Sequence, residues 1–295
     1  MEAKFKNGKV IIQNIQDFVP KHIFECGQCF RWDREADGSY TGVAYKRLIN
    51  VDYDGMDVII SGSDIDDFEN IWKDYFDLGR DYSYLKNKLS NVDDNLAKAV
   101  DFGYGIRLLN QPFEETLISY IISARNGIPQ IKKTVNNIAE KYGDYIDTYK
   151  GRKYYSFPDM EKLSKAEKEE LVECKAGFRA GYIKAAAEKI VSENISGKDF
   201  ENKNCEETAN KLLEFKGIGP KVASCIALFS LKKYAAFPVD VWINRIMREL
   251  YFKDEKLSLK KLGEKSEALF GEDAGFAQQY LFYYARENGI GRKKL

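Results

Sequence analysis

A single histidine, His22, stands in the whole of the 295-residue chain. That shortage removes most serine- and cysteine-hydrolase mechanisms, which need an imidazole as base. Cysteine is nearly as scarce, with five in all, an odd number. The opening stretch from Met1 to Lys9 is polar and lacks the apolar core of a secretion signal, so reduced thiols are expected. Cys26 and Cys29 form a lone C-x-x-C, but zinc would need two further ligands. Cys174, Cys205 and Cys225 are too scattered for a four-cysteine iron–sulfur cluster, and no metal is expected. No apolar run approaches the roughly 18–20 residues that span a membrane. The expectation is a protein off the membrane, cytoplasmic (nucleoid-associated in a prokaryote) or nuclear. Net charge is also missing, because 46 lysines and arginines balance 46 aspartates and glutamates. Bulk charge therefore gives no hold on nucleic acid, although a local basic face or backbone amides aimed at phosphate stay open.

What is present is the composition of a soluble globular protein, 44% hydrophobic and 31% charged, long enough for one large domain or two ordinary ones. The first part reads as strands at Lys9–Ile12, Phe30–Trp32, Ser39–Tyr45, Leu48–Tyr53 and Val58–Ile60. Asp37-Gly38 and Asp54-Gly55 between them are hairpin signals. A helix from about Asp66 to Phe76 should pack on the resulting antiparallel sheet. Beyond Asn91 the period becomes helical, with Phe113, Leu117, Ile121 and Ala124 on one face. Ser164 to Glu167 matches a capping box opening a helix. Further helices are expected over Tyr182–Val191, Glu207–Phe215, Pro220–Leu231, Val241–Tyr251 and Gly275–Glu287. The stretch from Tyr145 to Pro158 reads as a loop or short hairpin. The fold class is α+β: a small antiparallel sheet domain with packing helices over 1–90, then a larger all-helical domain over 91–295.

The most informative segment is Leu212-Leu213-Glu214-Phe215-Lys216-Gly217-Ile218-Gly219-Pro220-Lys221-Val222-Ala223. A helix runs into Gly-x-Gly, and a new one opens on proline, whose missing N–H costs nothing at that position. Gly217 and Gly219 permit a sharp turn and a close approach by a ligand, and the free amides beyond them can hold a phosphate. An ordinary connection between helices would read the same way from Gly-x-Gly alone. Lys221 weighs against that reading, because it sits in the first helical turn, where a cation is disfavoured, and a nucleophilic lysine must be neutral. Downstream, Asp240 in Phe237-Pro238-Val239-Asp240-Val241-Trp242 would cap the next helix.

Hairpin, lysine and Pro-Val-Asp in this order resemble the helix-hairpin-helix (HhH-GPD) glycosylase superfamily. Within it, Gly27-Gln28-Cys29-Phe30-Arg31-Trp32, Gly177-Phe178-Arg179-Ala180-Gly181-Tyr182 and Gly275-Phe276-Ala277-Gln278-Gln279-Tyr280-Leu281-Phe282 resemble the 8-oxoguanine DNA glycosylase family. The resemblance implies a small sheet domain ahead of a helical glycosylase domain, acting as a monomer on duplex DNA containing oxidised guanine. It implies Lys221 as nucleophile and Asp240 as the essential carboxylate. It also implies a base pocket in which the Gly27 carbonyl reads the lesion. Cys225 and Phe282 would sandwich the base while Gln278 reads its edge. Gly217 and Gly219 would grip the backbone, with Phe178 as wedge and Arg179 near the orphaned base. Around that base the eukaryotic members carry an asparagine and two arginines; Arg179 matches one arginine, Gln130 stands for the other, and Arg125 replaces the asparagine. No cofactor is required, and a monovalent cation at the hairpin is left open.

The chemistry is consistent with this. A base in a duplex must be flipped out before its glycosidic bond can be reached. Oxidation at C8 turns N7 from acceptor into donor, so one acceptor near N7 discriminates the lesion. Two other readings stand beside it: a superfamily glycosylase for a different damaged base, and a non-catalytic hairpin module. The first meets the lysine, which alkylation enzymes lack, and the absent cysteine cluster of many pyrimidine enzymes. The second leaves Lys221 and Asp240 without a purpose.

Overall fold

The computed structural model describes residues 2–253 and 256–290. Six strands, β1 (Glu2–Lys6), β2 (Lys9–Gln13), β3 (Trp32–Arg34), β4 (Tyr40–Ala44), β5 (Arg47–Tyr53) and β6 (Val58–Ser61), form one antiparallel sheet in the order β1-β2-β6-β5-β4-β3. Gly38 and Gly55 take φ of +91° and +100°, as their hairpins demand. β1 was not anticipated, since its Glu-Ala-Lys-Phe-Lys alternation is short and carries only Ala3 and Phe5 as apolar residues. It is an exposed edge strand returned by Asn7-Gly8, both with positive φ, so the turn rather than hydrophobicity specifies it. The expected helix over 66–76 is present as Ile65–Asp67, a π-helical Phe68–Trp72 and Lys73–Tyr75, and it buries Phe68, Trp72 and Tyr75.

Phe30 and Arg31 are not in a strand, and the reason bears on function. The chain from Cys26 to Trp32 alternates between two cores: Cys26 and Phe30 pack with the helices, while Cys29 and Trp32 pack with the sheet. Its irregular backbone is the seam between the domains. Burial pushes the Cys26 thiol up to about 11 and Cys29 higher still, so both stay protonated and inert.

The helical part contains Tyr82–Ser90, Asp94–Phe102, Phe113–Ser123, Ile128–Tyr142, Ala180–Glu193, Cys205–Leu213, Pro220–Ser230, Val241–Leu250, Leu259–Phe270 and Ala274–Asn288, with shorter turns between them. Tyr82, Leu85 and Leu89 of the first belong to the helical core. The Tyr145 to Pro158 stretch contains a two-stranded hairpin, β7 (Tyr145–Tyr149) and β8 (Arg152–Tyr155). One expected start is displaced. Ser164 closes the Met160–Ser164 helix, its hydroxyl donating to the Glu161 carbonyl, and the capping box belongs to Glu167 with Glu170. The S-x-x-E spacing was present, but the chain was still in its previous helix.

Candidate active site

The Cys205–Leu213 and Pro220–Ser230 helices are joined by a tight turn through Gly217 and Gly219. Gly217 has φ of +87°, and a Cβ there would lie 2.6 Å from the Tyr182 ring, so no side chain fits. Gly219 differs: its φ is −102° and nothing lies within 4 Å of a Cβ built on it. The protein itself does not require glycine at that point; a ligand approaching the uncapped helix start would.

Lys221, second residue of the new helix, is half-buried, whereas Lys216 is exposed. The Lys221 Nζ sits 5.4 Å above the centre of the Tyr120 ring. One turn on, the buried Cys225 thiol is raised by burial and by Asp240 and pulled back by Lys221. Asp240 caps the Val241–Leu250 helix, its Oδ1 accepting from the Ile243 amide at 2.8 Å. Burial raises its carboxyl above the usual range, against the Ile243 amide and the Lys221 charge, which lower it. Among the described residues Lys221 and Asp240 close no ion pair, so the amine and the carboxylate share a field without contact.

Gly27 lies at the seam with φ of +85°, and a Cβ would meet Phe282 Cε1 at 3.0 Å and Arg286 Nη1 at 3.4 Å. Its neighbours are pinned. The Cys26 carbonyl accepts from Gln279 Nε2 at 2.6 Å, and the Gln28 carbonyl accepts from Gln111 Nε2 at 2.8 Å and the Tyr120 hydroxyl at 3.2 Å. The Gln28 side chain, fully buried, joins Ile23 and Arg107 carbonyls and the Leu109 amide. No described residue donates to the Gly27 carbonyl itself. Gln278, one turn before Phe282, is 4% exposed and its Oε1 has no partner. A buried amide oxygen left unpaired costs about 1–3 kcal/mol, which a ligand donor would recover.

A second cluster gathers Phe178, Arg179 and Arg125, with Gln130 five residues further along the chain from Arg125. Phe178 is 62% exposed, as a wedge must be. Arg179 departs from expectation. It is buried, lies 4.3 Å over the Phe178 ring, and donates from Nε and Nη2 to the Ala124 carbonyl, from Nη2 to Arg125 and from Nη1 to Ala176. Its guanidinium holds the loop in which Arg125, with φ of +53°, is exposed. Gln130 is exposed in the first turn of Ile128–Tyr142 and reaches only Thr134 Oγ1, at 3.5 Å. Tyr120 is the site residue that sequence reasoning missed. A tyrosine between Ile118 and Ile122 reads as core, and only its hydroxyl hinted at a second task.

Residues 10–117 match the description of the 8-oxoguanine DNA glycosylase N-terminal domain, and residues 118–272 match the HhH-GPD superfamily of base excision DNA repair proteins. A probable N-glycosylase/DNA lyase of Methanothermobacter thermautotrophicus is 31% identical over 236 residues, covering 73% of this chain and 72% of that one. The N-glycosylase/DNA lyase OGG1 of Arabidopsis thaliana is 28% identical over 274 residues, covering 88% and 75%. The Clostridium acetobutylicum 8-oxoguanine glycosylase/lyase, solved with double-stranded DNA containing cytosine opposite 8-oxoG, superposes with a TM-score of 0.95. It is 46% identical, over 98% of this chain and 99% of that one.

Proposed function

Because the chain belongs to the 8-oxoguanine DNA glycosylase family of the HhH-GPD superfamily, we propose that Lys221 is its nucleophile and Asp240 the carboxylate that serves it. The protein is a bifunctional DNA glycosylase and AP lyase that excises 8-oxoguanine from duplex DNA in base excision repair. No helix among the described residues is long and apolar enough to cross a membrane. The observation that carries the assignment is the half-buried Lys221 amine beside Tyr120 and Cys225, in the field of Asp240, at the foot of the glycine hairpin. Borohydride trapping on lesion DNA tests it, since only an imine is reduced to a stable covalent link.

The flipped base enters between Cys225 and Phe282, its N7–H donating to the Gly27 carbonyl and its Watson–Crick edge meeting Gln278. The Lys221 nitrogen bonds to C1′ as the C1′–N9 bond breaks; the base leaves with the electron pair and takes up a proton. The Asp240 carboxylate stabilises the sugar cation that develops between them. The ring opens to an imine, which acidifies the C2′ proton. Loss of that proton expels the 3′ phosphate, and the strand is cut. No cofactor takes part. Gln278→Ala should slow 8-oxoguanine excision by about 1–3 kcal/mol in single-turnover rate, the value of its base-edge bonds. Wild-type rates in that variant would place Gln278 outside the pocket.

Recognition opposite the lesion follows from the second cluster. Gln130 is shorter and uncharged where the resemblance gives the eukaryotic members an arginine, and Arg179 spends its donors on the Ala124 and Arg125 carbonyls. Losing one such contact reduces discrimination by about 1–3 kcal/mol, roughly ten- to a hundredfold. A mild preference for cytosine is expected in single-turnover rates opposite C, A, G and T. A preference beyond about a thousandfold would overturn it, being more than one remaining arginine supplies.

A further inference from the structure

We propose that Tyr120 is a positioning residue that holds the lesion-reading segment and the nucleophile in register, a role that rests on the assignment of Gly27 and Lys221 above. Tyr120 sits on the Phe113–Ser123 helix and is 3% exposed. It makes two contacts that a core aromatic does not need. Its ring lies 5.4 Å beneath Lys221 Nζ, and its hydroxyl donates to the Gln28 carbonyl at 3.2 Å. The ring is itself fixed, stacked on Phe229 with centroids 5.8 Å apart and edge-on to Phe30 at 5.5 Å. Phe229 shares a helix with Lys221, and Phe30 belongs to the seam that carries Gly27. The tyrosine therefore stands between the two halves of the reaction, one from each side of the domain seam.

Three groups anchor the carbonyls on either side of Gly27: Gln279 on Cys26, and Gln111 and Tyr120 on Gln28. Only Tyr120 among them also touches the lysine. Its rigid, buried ring bounds the space open to the Lys221 side chain, and confinement is what converts a flexible lysine, once neutral, into one aimed at a single carbon. Its hydroxyl joins that aim to the position of the base being read. Reading matters only while a base is present. The two contacts can therefore be separated by comparing excision of 8-oxoguanine with cleavage at a preformed abasic site.

Tyr120→Phe keeps the ring and removes the hydroxyl. The ratio of 8-oxoguanine excision to abasic-site cleavage, both under single turnover, should fall about three- to tenfold, the worth of one hydrogen bond to a carbonyl that keeps Gln111. Tyr120→Leu removes the ring as well, and abasic-site cleavage and borohydride trapping should themselves fall by about three- to thirtyfold as the amine loses its aim. Melting curves accompany both, and the conservative phenylalanine keeps the test valid if leucine unfolds the protein. An unchanged ratio in Tyr120→Phe overturns the clamp on Gln28, and full trapping in a folded Tyr120→Leu overturns the seat for the amine. Lys221→Gln runs alongside. If it still traps, the nucleophile assignment fails and takes the amine seat with it, while the phenylalanine ratio decides the clamp by itself.

Discussion

Replacing Lys221 with glutamine abolishes both release of 8-oxoguanine and borohydride trapping, while lesion DNA is still bound within a few-fold of wild type. Glutamine reaches nearly as far as the lysine stem but offers no lone pair able to form an imine. The hairpin glycines and the helix start, assigned above to phosphate, are untouched. Gly217 keeps its +87° φ against Tyr182, and the helix still opens uncapped at Pro220. What is lost locally is the Lys221 contact with the Tyr120 ring and its charge near the Cys225 thiol. Such a cation–π contact is worth roughly 0.5–2 kcal/mol, too little to unfold a domain of this size. Three measurements suffice: single-turnover excision, trapping, and a binding isotherm at fixed salt. Trapping that survives would point to Lys216, which is exposed on the same turn. Binding lost in parallel with chemistry would make Lys221 a phosphate contact.

The helical domain was legible because its helices are amphipathic and punctuated. Pro220 and Asp240 mark two starts that the structure confirms to the residue. The sheet was legible wherever Asp-Gly turns bracketed β-branched runs. The failures have one cause, which is that local patterns do not report tertiary partners. β1 is short, its alternation resting on Ala3 and a half-exposed Phe5 alone, and Phe30-Arg31 looks like strand but is drawn between two cores. Ser164 carries a capping pattern inside a helix that had not yet ended.

At the site, residues on one helix turn were readable by spacing, as with Lys221 and Cys225 or Gln278 and Phe282. The meeting of Gly27 with Phe282 was not, since 255 positions separate them along the chain and only the resemblance linked them. Arg179 shows the opposite limit. The motif gave its identity, but its side chain turns inward to three main-chain carbonyls, and the exposed cation of that cluster is Arg125. A pattern of residue types does not tell which way a guanidinium faces.

Asp240→Asn should slow 8-oxoguanine excision on the order of a hundred- to a thousandfold with little change in melting temperature. The reasoning turns on the two tasks of this carboxylate. As a helix cap it needs only an oxygen accepting from the Ile243 amide at 2.8 Å, and asparagine caps about as well as aspartate. As a partner of the sugar cation it needs a negative charge, which asparagine lacks. The substitution thus removes one task and keeps the other, whereas Asp240→Ala would lose about 1 kcal/mol of cap in addition. The acidity of the group supplies an independent check. Burial raises the Asp240 carboxyl above the usual value of 3.8, with the Ile243 amide and Lys221 opposing it only in part. The charged form that catalysis needs is therefore lost, as pH falls, sooner than for an exposed aspartate. Wild-type excision should show an acid limb above pH 3.8, and Asp240→Asn, already uncharged, should lack that limb. Normal excision with a lowered melting temperature would leave Asp240 as a cap alone. An acid limb that persists in the variant would assign the titration to another group.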